Sequence, residues 1–421
     1  IAGRYIFSGS ALLLVLSLRL DWRKFFSTNK IFLIFVLYLL VHLFFLNSNF
    51  QESLRAFRGE WLKLILFLIL GAGLGLTFVK RPKYNAENLI LFIGLAFCTP
   101  LILYLFLLIN QISIEHAIPW GYFGVGTHHG DLGYTSFGAS LLLSPILFVS
   151  TNKKNKILAS LGLVICLTSV LFAQSRGGLI FTILPILLLG FYFTLKHLNS
   201  LKIVGVISIC IIALLLGVMQ FSSLNQHSKW SGMIERATFG FIGNDALEIN
   251  CKGPEYIKEL LRQQGKSITP EYETLINATV DGDGARVLTA RGAIRLSLLN
   301  PLGFNESKDS YQLALTKYCG GKPLIMLSNA HNGWLNAALA IGIPGALLYL
   351  LVMLNFAKQG WQQRHSENQL TAITLILVVG LWIIRSLLDA TIQDQMLEMQ
   401  VFVMAFLAAL LLHTHDKAAK N

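Results

Sequence analysis

The chain has 421 residues, 54% of them hydrophobic and 13% charged, and 34 Lys and Arg against 22 Asp and Glu give a formal net charge of +12. A soluble domain of average make-up carries about 25% charged residues, so a water-soluble globular protein is excluded and an all-α polytopic membrane protein is expected. The basic charge falls in short loops between apolar runs, the pattern that Lys and Arg leave on cytoplasmic loops, and no nucleic-acid partner is expected.

Apolar runs close to the roughly 17–25 residues that cross a bilayer lie near 5–18, 31–46, 61–79, 89–109, 133–150, 157–173, 178–195, 203–219, 333–357, 370–388 and 395–412. Basic residues follow every second run. They are Arg19, Arg23, Lys24 and Lys30, then Lys80, Arg81 and Lys83, then Lys153, Lys154 and Lys156, then Lys196 and Lys202, then Lys358 and Arg364, with Lys417 and Lys420 near the end. The positive-inside rule puts these in the cytoplasm, and the first run then crosses from outside to inside. The sequence opens on Ile1 rather than Met, and one further span upstream is expected, about 12 in all with the 11 seen. The predicted organisation is N-terminal transmembrane helices over 1–219, a large extracytoplasmic loop over 220–332 and C-terminal transmembrane helices over 333–421.

Within that loop Pro254–Gly265 reads as an amphipathic helix with Tyr256, Ile257, Leu260 and Leu261 on one side, and Glu271–Ile276 as a second. Such helices suit a membrane surface or a lid. Cys98, Cys166 and Cys210 fall in apolar spans and read as buried thiols. Cys251 and Cys319 both fall in the loop, where an oxidising compartment permits a disulfide. The pairing stays open.

Six arginines break the charge rule by falling on the outer side: Arg55, Arg58, Arg176, Arg286, Arg291 and Arg295. A charge near membrane depth is costly and faces protein, water or a ligand, and the planar fork of arginine suits phosphate. Arg176 stands in the tight turn Gln174-Ser175-Arg176-Gly177-Gly178, and either binds phosphate or reaches to headgroups. Arg291 and Arg295 share a helical face with Arg286 about one turn earlier; the alternative is a basic helix lying on anionic lipid. His331, between Asn329 and Asn332 at the start of a span, is the candidate base. Trp334 reads as an interfacial anchor. His128 and His129 follow a glycine-rich stretch and are candidate site-lining residues, but an adjacent pair points in divergent directions and makes a poor metal site. Asp281-Gly282-Asp283-Gly284 holds part of a calcium-loop pattern without the full ligand set, so a turn is expected. Asp389 and Asp394 are expected to pair with Arg385 or an incoming arginine. The chain has no Walker loop, no Rossmann glycine pattern and no His-Glu-x-x-His. No metal or other cofactor is expected.

At Ser175-Arg176-Gly177, Gly284-Ala285-Arg286, Pro301-Leu302-Gly303, His331-Asn332 and Gly342-Ile343-Pro344-Gly345 the chain resembles the O-antigen ligase and polymerase superfamily. The resemblance implies about 12 helices in a glycosyltransferase C-like plan, with one large periplasmic loop before the histidine-bearing span. It implies a multi-pass protein of the Gram-negative inner membrane that moves a glycan from undecaprenyl pyrophosphate to a sugar hydroxyl of lipid A–core, without nucleotide sugar or metal. Arg176 and Arg286 would hold the pyrophosphate, with Arg291 as the alternative to Arg286 as principal ligand, and His331 would be the base. Asn332, His128 and His129 are further candidates for substrate contact; His128-His129 stand where family members often carry an arginine. A polymerase would share the donor and extend another lipid-linked glycan. A flippase for lipid-linked glycans is the reading from another class, and it would favour midplane charges and internal repeats.

Overall fold

The computed structural model describes residue 9 and residues 20–47, 49–79, 85–110, 129–173, 175–196, 232–280, 282–305 and 307–412, and its ordered elements are helices. The apolar runs expected at 5–18 and 203–219, and His128, lie outside the described residues. The helices in order are α1 (Trp22–Thr28), α2 (Lys30–Val41, continued by a π turn His42–Leu46), α3 (Phe50–Gly59), α4 (Trp61–Val79), α5 (Ala86–Ile109), α6 (His129–Val149), α7 (Lys153–Phe172) and α8 (Arg176–Lys196). There follow α9 (Met233–Phe239), α10 (Ala246–Lys252), α11 (Pro254–Gln263), α12 (Pro270–Val280), α13 (Asp283–Leu299) and α14 (Ser310–Cys319), and then α15 (Gly333–Gln363), α16 (Gln369–Leu388) and α17 (Asp394–Leu411). Among the described residues eight helices are long and apolar enough to cross a membrane, or nine if α1 and α2, bent by 81°, count as one span. The chain is an all-α, multi-pass membrane protein. Observed spans match the expected runs to within a few residues, except that α15 continues to Gln363.

Small residues let the spans approach closely, as in membrane helix pairs generally. At Gly75 of α4 an added Cβ would sit 2.6 Å from the Phe406 carbonyl of α17, and at Gly71 it would run into the Phe402 carbonyl. Helices α6 and α8 cross at Gly133 and Gly178, where a Cβ on Gly178 would lie 2.6 Å from the Gly133 Cα. One face of the bundle is closed by polar contacts of Asn29 with Asn355 and Gln359, and of Lys24 with the Leu412 carbonyl. The opposite face carries the starts of α4, α6, α8, α15 and α17 and the helices α9–α14.

Helices α9–α14 have cores of their own. Ile249, Ile257, Leu261, Ile276, Leu288 and Ile325 form one, and Leu247, Ala293, Leu296, Tyr311, Leu315 and Ala330 another, which Leu339 of α15 joins. The amphipathic face read for α11 is therefore covered by protein. Cys251 and Cys319 form a disulfide between α10 and α14, across a sequence separation of 68. A closed loop of that size contributes about 4 kcal/mol on the chain-entropy argument. The turn before α14 is tied to the spans through Lys308, whose N–H donates to Glu60 Oε1 (3.1 Å) and whose ammonium meets Asp394 (3.2 Å). Cys98 and Cys166 are buried thiols.

The Pro301-Leu302-Gly303 and Gly342-Ile343-Pro344-Gly345 segments meet. Gly342 adopts φ 79°, inside α15, and Gly303 adopts φ 81°, conformations that glycine reaches without steric cost. Pro344 has no N–H to offer the Ala340 carbonyl. The Ile343 N–H, whose helical acceptor would be Leu339, donates instead to the Pro301 carbonyl (2.8 Å), and the Leu339 carbonyl accepts from the Phe304 N–H (2.8 Å). One helical hydrogen bond is exchanged for two between elements. The Tyr38 hydroxyl donates to the Ile341 carbonyl (2.7 Å), and His42 Nε2 donates to the Leu302 carbonyl (2.6 Å). The break turns the chain back: the Trp334 and Tyr349 rings are 6.1 Å apart, although fifteen residues of unbroken helix would separate them by about 22 Å.

Candidate active site

His331 precedes the first residue of α15 and has φ 47°, in the left-handed region. A non-glycine residue holds that conformation only where its surroundings fix it, and here they do. The His331 N–H donates to Asn329 Oδ1 (2.9 Å), and the Ala330 N–H to Asn336 Oδ1 (2.8 Å). The Gly333 N–H donates to the Asp389 carbonyl (2.9 Å). Asn332 caps α15 by accepting from the Leu335 N–H (3.0 Å) and donates to the Leu387 carbonyl (2.8 Å). Both ends of that amide therefore hold the backbone around the histidine. Trp334 is tied inward, its indole N–H donating to the Ile383 carbonyl (3.2 Å), which corrects its reading as an interfacial anchor.

The half-buried His331 ring is pushed below its ordinary pKa, first by burial and then by the charge of Arg286, while Asp389 opposes the shift. Both effects favour the neutral imidazole, the form that accepts a proton. Beside Asp389 stand Tyr134 and Arg385, and the three groups interact with one another by charge, while Asp389 Oδ1 accepts from the Ala390 N–H (2.9 Å). Arg385 is 2% exposed, donates to the Gly133 carbonyl (3.3 Å) and lies 4.1 Å from the ring centre of Tyr134, 4.7 Å from Phe137 and 5.1 Å from Phe181. The aromatic cage is a cation–π setting for a charge taken out of water. Asp389 acts on Arg385 by charge, with Tyr134 interacting with both, and Asp394 pairs with Lys308 instead.

Arg286 projects from the first turn of α13, is exposed, and acts by charge on both His331 and Tyr134. One turn earlier on the same helix, Asp283 takes two arginines. Arg176 Nη2 lies 3.1 Å from Oδ1 and Nη1 3.4 Å from Oδ2; Arg236 Nη2 lies 3.1 Å and Nε 3.4 Å from Oδ2. Arg176 opens α8, where the Ser175 carbonyl and hydroxyl receive the Leu179 and Gly178 N–H groups (2.8 and 3.3 Å). The close glycine crossing of α6 and α8 brings this turn beside Tyr134.

Arg291 and Arg295 go elsewhere. Arg291 donates to the carbonyls of Gly240, Ile242, Gly243 and Asn244 at 2.7–3.4 Å, and Arg295 pairs with Asp245 at 2.6 Å. Two expected members of the arginine set therefore hold the α9–α10 loop. His129 opens α6. Tyr134 and Arg236 had no sequence signal: the first is one aromatic in an apolar run, the second one basic residue in an unmarked segment.

No curated protein matches the chain. The O-antigen ligase family model matches residues 161–350, a stretch that holds Arg176, Arg236, Arg286 and His331. Proteins of this family work on lipid-linked glycans at membranes. The match over residues 161–350 supports membership of the O-antigen ligase superfamily.

Proposed function

We propose that the protein is an O-antigen ligase that moves a glycan from undecaprenyl pyrophosphate to a sugar hydroxyl of lipid A–core, at the periplasmic face of a Gram-negative inner membrane. The observation that carries this reading is a conformationally fixed His331 whose ring feels the charges of both Asp389 and Arg286, with Arg176 tied to the Arg286 helix through Asp283. His331 takes the proton of the acceptor hydroxyl, whose oxygen attacks the anomeric carbon. The carbon–oxygen bond to pyrophosphate breaks on the opposite side, so the anomeric configuration inverts. The electron pair stays on the leaving pyrophosphate, where Arg286 and Arg176 stabilise the charge as it grows. Nucleotide sugar and metal have no part in this scheme. Among the described residues the candidate groups gather at one face of the bundle, which favours group transfer over passage across it, and the basic loops of the opposite face favour a cytoplasmic location for that side.

The test uses purified protein with undecaprenyl-pyrophosphate glycan and lipid A–core, without metal or nucleotide, and resolves products by gel mobility and mass. Transfer to the core, nearly abolished in His331→Ala while donor binding survives, is the expected result. Longer lipid-linked glycans with untouched core would make the protein a polymerase. Metal-dependent transfer would overturn the scheme.

A further inference from the structure

The Arg176–Asp283–Arg236 clasp joins three elements: α8, the first turn of α13, and α9. Its two guanidinium groups are partly open to solvent, at 21% and 24% side-chain exposure, while Asp283 is 14% exposed. Helix α9 is held hard against α13, since a Cβ on Gly284 would lie 2.8 Å from the Arg236 carbonyl and one on Gly240 would lie 2.7 Å from Val287 Cβ. The position of Arg236 is therefore set by backbone contact and not by its ion pair alone. Asp283 balances one of the two arginine charges, and Arg286 stands one turn further along α13, so the group carries a net double positive charge. A pyrophosphate joined to lipid and sugar carries one negative charge on each phosphate, and cleavage from the sugar adds another.

We propose that Arg236 is a third arginine of the pyrophosphate site, paired with Arg176 across Asp283, and that this pair distinguishes a lipid pyrophosphate from a lipid monophosphate. The inference rests on the reading of this face as the donor site. Asp283 holds two guanidinium groups from different elements side by side, a fork geometry that suits phosphate, and Arg286 adds a third charge one turn along the helix. A lysine could supply the charge but not the fork.

The test measures binding of radiolabelled undecaprenyl pyrophosphate and undecaprenyl phosphate to the full chain in nanodiscs, alongside thermal unfolding. Arg236→Gln is expected to weaken pyrophosphate binding about tenfold or more, the scale of a lost charge-assisted contact, while monophosphate binding changes little. Arg236→Lys should fall between, and it keeps the ion pair with Asp283 should Arg236→Gln unfold. Equal loss for both lipids together with a lowered melting temperature would overturn the proposal in favour of a purely structural clasp. Unchanged pyrophosphate binding in Arg236→Gln, with loss in Arg286→Gln, would overturn it while leaving the donor site in place. Unchanged binding in both variants would remove the donor-site reading itself.

Discussion

Replacing Tyr134 by Phe removes one oxygen from the cluster behind His331. That oxygen is the polar group through which Tyr134 interacts with Arg385 and Asp389. The ring stays in place as a cation–π partner for the Arg385 guanidinium at 4.1 Å, so the cage and the fold should survive. Hydrogen bonds to charged partners contribute about 1.5–3 kcal/mol each. If one such bond is expressed in the transition state, kcat falls roughly 10- to 100-fold, at 1.36 kcal/mol per tenfold. Without the hydroxyl, the negative charge of Asp389 is less compensated and draws a proton to His331 more strongly. A base must be unprotonated to act, so the acid limb of kcat/KM against pH moves to higher pH. The assay is steady-state transfer over pH 5–9 at varied donor, and donor KM should hold because the arginines are untouched. A kcat within twofold of wild type, with an unmoved acid limb, would refute the coupling of Tyr134 to His331. A raised donor KM without a pH effect would place Tyr134 in the donor site instead.

Arg286→Gln removes a positive neighbour that lowers the His331 pKa, so the acid limb should move upward here as well, but with a strongly raised donor KM; a downward move would contradict the electrostatic assignment. Arg291→Ala strips the donor from carbonyls of Gly240, Ile242, Gly243 and Asn244 and should lower the melting temperature and loosen protease resistance around the α9–α10 loop. Arg291→Lys should recover part of both, whereas a stable Arg291→Ala protein with weakened donor binding would return Arg291 to the phosphate site. Cys251→Ser or Cys319→Ser should each cost about 4 kcal/mol of stability in the α9–α14 unit and leave the other thiol open to alkylation. An unchanged melting curve would show that the bridge does not constrain this unit.

Much of the fold was legible because membrane spans announce themselves by length and apolarity, and because the loops carry a charge bias. His331 could be singled out because it joins the long outer loop to a span and follows the arginine cluster, although a lone histidine is more often structural. The choice between Arg286 and Arg291 was not legible. Both sit on one helix at phosphate-friendly positions, and what separates them is a set of carbonyls at 240–244 that only the folded chain brings against Arg291. Tyr134 was invisible for a related reason. Its chemistry comes from Arg385 and Asp389, far along the chain, and not from its neighbours in sequence. Asp283 read as a turn residue because the sequence showed a glycine-rich run; in the fold it collects two arginines from different helices.

The short Pro-Leu-Gly and Gly-Ile-Pro-Gly segments carry a different lesson, since neither supplies a side chain with a chemical function. Their residues are those that allow a helix to be interrupted: glycines at positive φ and a proline that leaves a carbonyl without its helical donor. The interruption is sealed by the exchange at Leu339 and Ile343, so the broken helix keeps its backbone hydrogen bonds at a place where water cannot be relied on to supply them. Because α15 turns back at Gly342, its first two turns pack against the link between α16 and α17 through Gly333, Asn332 and Asn336. That packing sets Asp389 beside His331. A straight α15 would carry Trp334 away from Tyr349 and the histidine away from its carboxylate. The motif is thus necessary to the proposed chemistry without touching substrate: it determines where the base stands, while burial and Arg286 bias its charge.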